Sequence, residues 1–103
     1  MRLLVLAATA LVALPALPFL SAHAQDTASR NLAASCAICH GTEGRAVTKD
    51  VIPLAGLPRE HIVAQMKAFR DGTRPATVMH QISKGYNDQQ IDALAAWFAA
   101  QKR

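Results

Sequence analysis

At 103 residues, with 51% apolar and 17% charged side chains and a net charge of +4, the chain is the size of one small domain. Of its 11 lysines and arginines, Arg45, Lys49, Arg59, Lys67, Arg70, Arg74 and Lys84 are spread along the sequence and form no stripe, which excludes a nucleic-acid reader. The two cysteines, Cys36 and Cys39, lie too close together for a disulfide between them to restrain the unfolded chain much.

The amino end opens with Arg2 and an apolar stretch from Leu3 to Leu20, broken only by Thr9 and bent by Pro15 and Pro18, and then reads Ser21-Ala22-His23-Ala24. A basic start, an apolar middle and an A-x-A triplet predict a secretory signal over residues 1–24, removed after Ala24. A retained anchor is the alternative, since such a stretch could just cross a bilayer, but two prolines beside a cleavage triplet favour removal. On this reading His23 leaves with the signal. Residues 25–103 then form a single periplasmic domain with no permanent membrane span.

An alanine-rich helix is expected from Thr27 to about Ile38, capped by Asp26 or Thr27. It runs into Cys36-Ala37-Ile38-Cys39-His40, a C-x-x-C-H run and the spacing at which a c-type haem is attached. Two thiols one helical turn apart project from one face of the chain, so both can reach the vinyl groups along one haem edge. His40 follows at once and is carried under the macrocycle, where it can serve as the proximal iron ligand. Other uses of the pair explain less. A thioredoxin-like motif wants a βαβ pattern that this sequence lacks. A structural zinc site wants a second ligand pair, whereas His23, His61 and His80 stand singly. A Cys36–Cys39 disulfide leaves His40 unexplained. One covalent haem c is therefore the expected cofactor, and beyond residue 24 the only aromatics to help it fill a core are Phe69, Tyr86, Trp97 and Phe98.

Gly41, Gly44 and the polar residues between them mark a loop, and Val51-Ile52-Pro53-Leu54-Ala55-Gly56-Leu57-Pro58 is too rich in proline and glycine for a regular element, so a wrapping loop is expected there. Pro58 stands where a helix can begin, and Ile62, Met66 and Phe69 share one face until Asp71-Gly72 closes it, predicting a helix over 59–71. Between Pro75 and Gly85, Val78, Met79 and Ile82 could share one face of a short element of undecided type. Asn87 with Gln90 three residues on reads as a capping box, and Ile91, Leu94, Ala95 and Phe98 form the apolar stripe of a helix over 88–101. There is no repeat and no second haem motif. The pattern predicts an all-α fold of three to four helices wrapped around one haem.

The second face of the iron has four candidates. Met66 lies on the apolar stripe of its helix, where methionine more often fills core, and His61 sits among charged residues at that helix's start. His80 would make a bis-histidine site. Met79 stands in a proline-flanked segment far enough beyond His40 for the chain to wrap the haem edge and return on the opposite side. A core methionine is the competing use of Met79.

The order of features resembles class I cytochrome c. There is a helix into C-x-x-C-H, a proline-bearing loop, a helix, a methionine and a last helix ending in an aromatic pair. Within that class, Ile52-Pro53-Leu54-Ala55-Gly56, Met66-Lys67-Ala68-Phe69-Arg70-Asp71-Gly72, Arg74-Pro75-Ala76-Thr77-Val78-Met79 and Lys84-Gly85-Tyr86 are similar to the cytochrome subunit of flavocytochrome c sulfide dehydrogenase and its single-haem relatives. So is Ile91-Asp92-Ala93-Leu94-Ala95-Ala96-Trp97-Phe98. The resemblance implies that Cys36 and Cys39 carry the thioethers, His40 is proximal and Met79 distal. It also implies that the Pro53 carbonyl accepts from the His40 ring N–H. The sulfide dehydrogenase subunit is often twice this length with two haems, whereas this chain has one motif. Trp97 stands where many relatives have tyrosine, and its expected role is packing.

The function expected is one-electron transfer from a dehydrogenase to a downstream acceptor, with redox proteins as partners, a flavoprotein among the possible donors, and no catalytic residue. A variant is a haem subunit bound to a flavoprotein sulfide dehydrogenase, which should expose an apolar docking patch. The rival is a ligand-binding or peroxidase-like haem protein, which would need an open distal site and has only His80 to offer as a base.

Overall fold

The computed structural model describes residues 27–103. The signal predicted over 1–24, with His23, and the Asp26 cap lie outside the described residues. The elements are helical, with no strand among the described residues: α1 (27–33), α2 (Ala37–His40), α3 (Arg59–Asp71), α4 (Met79–Ile82) and α5 (Asp88–Ala99).

The helix expected over 27–38 is one right-handed path with a tightened middle. Ala33, Cys36 and Ala37 keep helical backbone, with φ of −76°, −68° and −62°, while Ala34–Cys36 form a 3-10 turn between α1 and α2. The path runs on through His40, and Gly41 ends it with φ 81° and ψ 164°. Only glycine adopts that backbone readily. Space demands it too, because a Cβ on Gly41 would lie 1.9 Å from the carbonyl oxygen of Arg45.

The expected wrapping loop follows and is tied down by backbone bonds. The Gly44 carbonyl accepts from Leu54 N–H at 2.8 Å and Ala55 N–H at 3.1 Å, and Gly56 N–H donates to the Phe98 carbonyl at 2.9 Å. α3 starts after Pro58, whose φ of −56° is already helical and whose carbonyl takes the first amide, that of Ile62. It stops at Gly72 in the left-handed conformation, where Thr73 and Arg74 amides close on the Ala68 carbonyl. The short element left undecided by the sequence is α4 followed by a 3-10 turn at Ser83–Gly85. α5 begins with the expected capping box, Asn87 and Gln90 exchanging side-chain-to-backbone bonds of 2.8 and 3.0 Å, and ends two residues before the predicted 101.

The core gathers where α1, α3 and α5 meet. Ala33, Ile62, Leu94, Ala95 and Phe98 are buried together, flanked by Leu32, Cys36, Leu54, Leu57, Val63, Met66, Tyr86 and Trp97. Burying a side chain such as Leu94 or Phe98 stabilises by roughly 1.5–3 kcal/mol. Trp97 meets Phe98 edge to face at 5.0 Å, so its packing role is what the structure shows. Across the outside of α3 and α5, Arg59 grips Asp92 in a two-pronged pair, and Arg70 and Lys67 share Asp88. These pairs lie at the surface, with only Arg70 partly buried, and add little individually. No helix among the described residues is long and apolar enough to cross a membrane.

Candidate haem-binding site

The site is built from the end of the α1–α2 path. Cys36 and Cys39 are both free thiols, Cys36 half-buried against the core and Cys39 exposed. Burial pushes the Cys36 thiol above its ordinary range, with a Ser35 hydrogen bond working the other way. Ser35 in turn lies 3.4 Å from the Tyr86 hydroxyl, which links the attachment segment to the turn before α5.

His40 Nδ1 lies 2.8 Å from the carbonyl oxygen of Ile52. A carbonyl can only accept, so Nδ1 carries the proton, and the neutral ring's free lone pair is on Nε2. That is the arrangement of a metal-ligating imidazole, whose far N–H is held so that the ring cannot swing. The acceptor expected was the Pro53 carbonyl; the bond is made one residue earlier, and Pro53 itself is exposed. The reason is local. A residue before proline is held extended, and the Ile52–Pro53 amide has no N–H, so its one polar atom is the Ile52 oxygen.

Met79 is the first residue of α4, half-buried, and α4 packs on α3. Met66 sits against the buried cluster, as core methionines do, and His61 is exposed at the start of α3. The Nδ1 of His80 is buried without a hydrogen-bond partner, which no local sequence signal foreshadows. An open cleft lined by Arg45, Ala46, Ile52, Pro53, Ala55 and Leu57 touches neither the cysteines nor Met79.

These residues fit a haem. The two thiols are unbridged, the imidazole is pinned with Nε2 free, and Ile38, Val47, Ile52, Val78 and Ile82 are large apolar side chains left exposed at 87%, 93%, 57%, 56% and 44%. Four of the five adjoin the site in the chain: Ile38 lies between the two cysteines, Ile52 supplies the His40 acceptor, Val78 precedes Met79 and Ile82 ends α4. A small domain does not leave such residues uncovered without cause, and a flat apolar ligand is one.

Comparison with known proteins places the chain among cytochromes. No family model matches the chain. It is 40% identical over 68 residues to the cytochrome subunit of sulfide dehydrogenase from Chlorobaculum tepidum, covering 65% of this chain and 60% of that protein. It is 37% identical over 67 residues to the thiosulfate dehydrogenase electron acceptor of Stutzerimonas stutzeri, where the match takes in only 31% of the relative's length. Against cytochrome c-554(548) of Halomonas halodenitrificans the identity is 31% over 71 residues, spanning 86% of that protein. The chain belongs to the class I c-type cytochromes, electron-transfer proteins with covalently bound haem c, and resembles the sulfide dehydrogenase subunit among them.

Proposed function

We propose that this cytochrome is a periplasmic one-electron carrier, exported by residues 1–24 and folded as one domain over 25–103, whose haem iron is ligated by His40 and Met79. The observation that carries the reading is the His40 Nδ1 bond to the Ile52 carbonyl directly after the C-x-x-C pair, because it fixes the tautomer an iron ligand needs. When bound, the haem supplies the one-electron centre.

The chain's own residues do the rest. Cys36 and Cys39 anchor the group to the α1–α2 path. His40 is oriented by a carbonyl that itself belongs to a loop bonded to Gly44 and Phe98, so the ring is held by backbone rather than by a mobile side chain. Met79 offers a soft thioether, which favours the reduced state and raises the potential over two nitrogen ligands. Exposed Ile38, inside the attachment segment, and Val47, in the loop after it, offer a small apolar contact, with the scattered cations supplying weak, salt-sensitive steering.

The donor on this reading is a dehydrogenase acting on a reduced sulfur compound, as the names of the relatives suggest for their own partners. A second reading is favoured by the same exposed Ile38 and Val47: the chain is a haem subunit docked on a flavoprotein. Purification of the exported protein tests the first part. The mass should equal residues 25–103 plus one haem, and a colourless product of the bare chain mass would end the proposal. In Met79→Ala the sulfur-to-iron absorption of the ferric protein should vanish and the potential should fall; a retained band would move the ligand to Met66. Capture of a stoichiometric flavoprotein from periplasm separates the docked subunit from the free shuttle.

A further inference from the structure

Among the described residues, His80 Nδ1 is the one side-chain polar atom that is buried and without a hydrogen-bond partner. Such an atom has given up water for nothing on the chain, and in native proteins it calls for a specific reason. Its position in the fold supplies one. His80 follows Met79 inside the four-residue α4, and both are half-buried. Successive helical residues are turned about 100° from each other, so the two side chains leave α4 in different directions and exchange places if the helix rotates by one position.

The surroundings of α4 permit that rotation. Before it, Pro75, Ala76 and Thr77 make no hydrogen bond among the described residues, and Val78 enters the helix from a non-helical backbone at φ −133° and ψ −26°. Apart from its packing on α3, the α4 start is held by one backbone acceptor, the Val78 carbonyl, which takes the Gln81 and Ile82 amides at 3.0 and 3.1 Å. After it, Ser83 is wholly buried, with its hydroxyl 3.5 Å from the His80 carbonyl, and serves as the fixed end. Because His80 Nδ1 has no partner, turning the ring breaks no hydrogen bond at that atom.

On the reading that Met79 is the second axial ligand, we infer that His80 is its reserve: when the thioether is lost, α4 turns and the His80 imidazole ligates in its place. The exchange is a ligand substitution. A nitrogen lone pair replaces a sulfur lone pair, and no electron or proton is consumed. A nitrogen in that position lowers the potential and keeps the distal side shut, so a molecule deprived of its thioether remains six-coordinate and does not become a ligand-binding or peroxidase-like haem protein.

The test uses the intact cytochrome at one neutral pH, with Met79→Ala, the size-matched Met79→Leu, and each combined with His80→Ala. Ferric absorption and electron paramagnetic resonance report the ligands, and carbon monoxide uptake by the reduced protein reports access. Each single variant should give a low-spin, two-imidazole signature and no carbon monoxide uptake. Each double variant should turn high-spin and bind the gas. High-spin single variants, or a nitrogen signature that survives His80→Ala, overturn the inference alone. A sulfur-to-iron band retained in both single variants overturns the Met79 assignment and the inference with it.

Discussion

Gly41→Ala is the substitution for which the structure makes the sharpest demand. The new methyl would lie 1.9 Å from Arg45 O and 2.6 Å from Arg45 C, both backbone atoms that no side-chain rotation can clear. It would also sit on a backbone of φ 81° and ψ 164°, a region open to glycine and worth up to about 3 kcal/mol of strain to other residues. Gly72→Ala is the matched control, since its φ of 77° is also left-handed but nothing stands within 4 Å of the added carbon. Its expected loss is the left-handed term alone, about 1–2 kcal/mol. Gly41→Ala should lose on the order of 3 kcal/mol or more, a large share of the roughly 5–15 kcal/mol that holds a domain together. Guanidinium denaturation of the haem-loaded proteins measures both. His40 directly precedes Gly41, and Gly44, whose carbonyl holds the Leu54 and Ala55 amides, donates its N–H to the Gly41 carbonyl, so haem incorporation during export should fall for Gly41→Ala and not for Gly72→Ala. Equal destabilisation of the two variants would refute the close approach at Gly41.

Three further outcomes follow from the packing and charges. Asn87→Ala removes one half of the α5 capping box and should lower stability by about 1 kcal/mol in the same denaturation assay. Ile91→Ala, at a side chain with no exposure, should lose about 2–5 kcal/mol. Arg70 first, then Lys67, hold the Asp88 carboxyl below the usual carboxylate range. A depressed folded value means that the stabilisation is present above the ordinary carboxylate value near ~3.9 and is lost as pH falls through the folded one. Acid titration of stability at low salt should therefore show Asp88→Asn losing less than the parent below about pH 4.

What could be read from the sequence was what depends on neighbours along the chain. The C-x-x-C-H run, the Pro58 entry and Gly72 exit of α3, and the Asn87–Gln90 box are all fixed by residues within a few positions of each other, and α3 spans the predicted 59–71 without change. The stripe Ile91, Leu94, Ala95 and Phe98 is buried as its spacing requires. What escaped depends on how distant segments meet. The 3-10 tightening at Ala34–Cys36 occurs in a run whose residues favour plain helix, and the choice of Ile52 over Pro53 as acceptor rests on how an irregular loop lies beside an imidazole twelve residues away. The buried His80 nitrogen has no local signature at all.

Phe98 joins pieces of chain that are far apart in sequence. Its ring occupies the space that a side chain on Gly44 would need, and its carbonyl receives the amides of Gly56 and Gln101. The segment that presents the His40 acceptor thus has its foundation in the last helix. Partial opening confined to residues 42–56 would sever bonds on both sides at once, so loop and helix belong to one cooperative unit and should come apart together or not at all. Slow and matching hydrogen exchange at the Leu54 and Gly56 amides and within α5 is the dynamic signature of that union, and it makes the proximal wall as durable as the molecule itself.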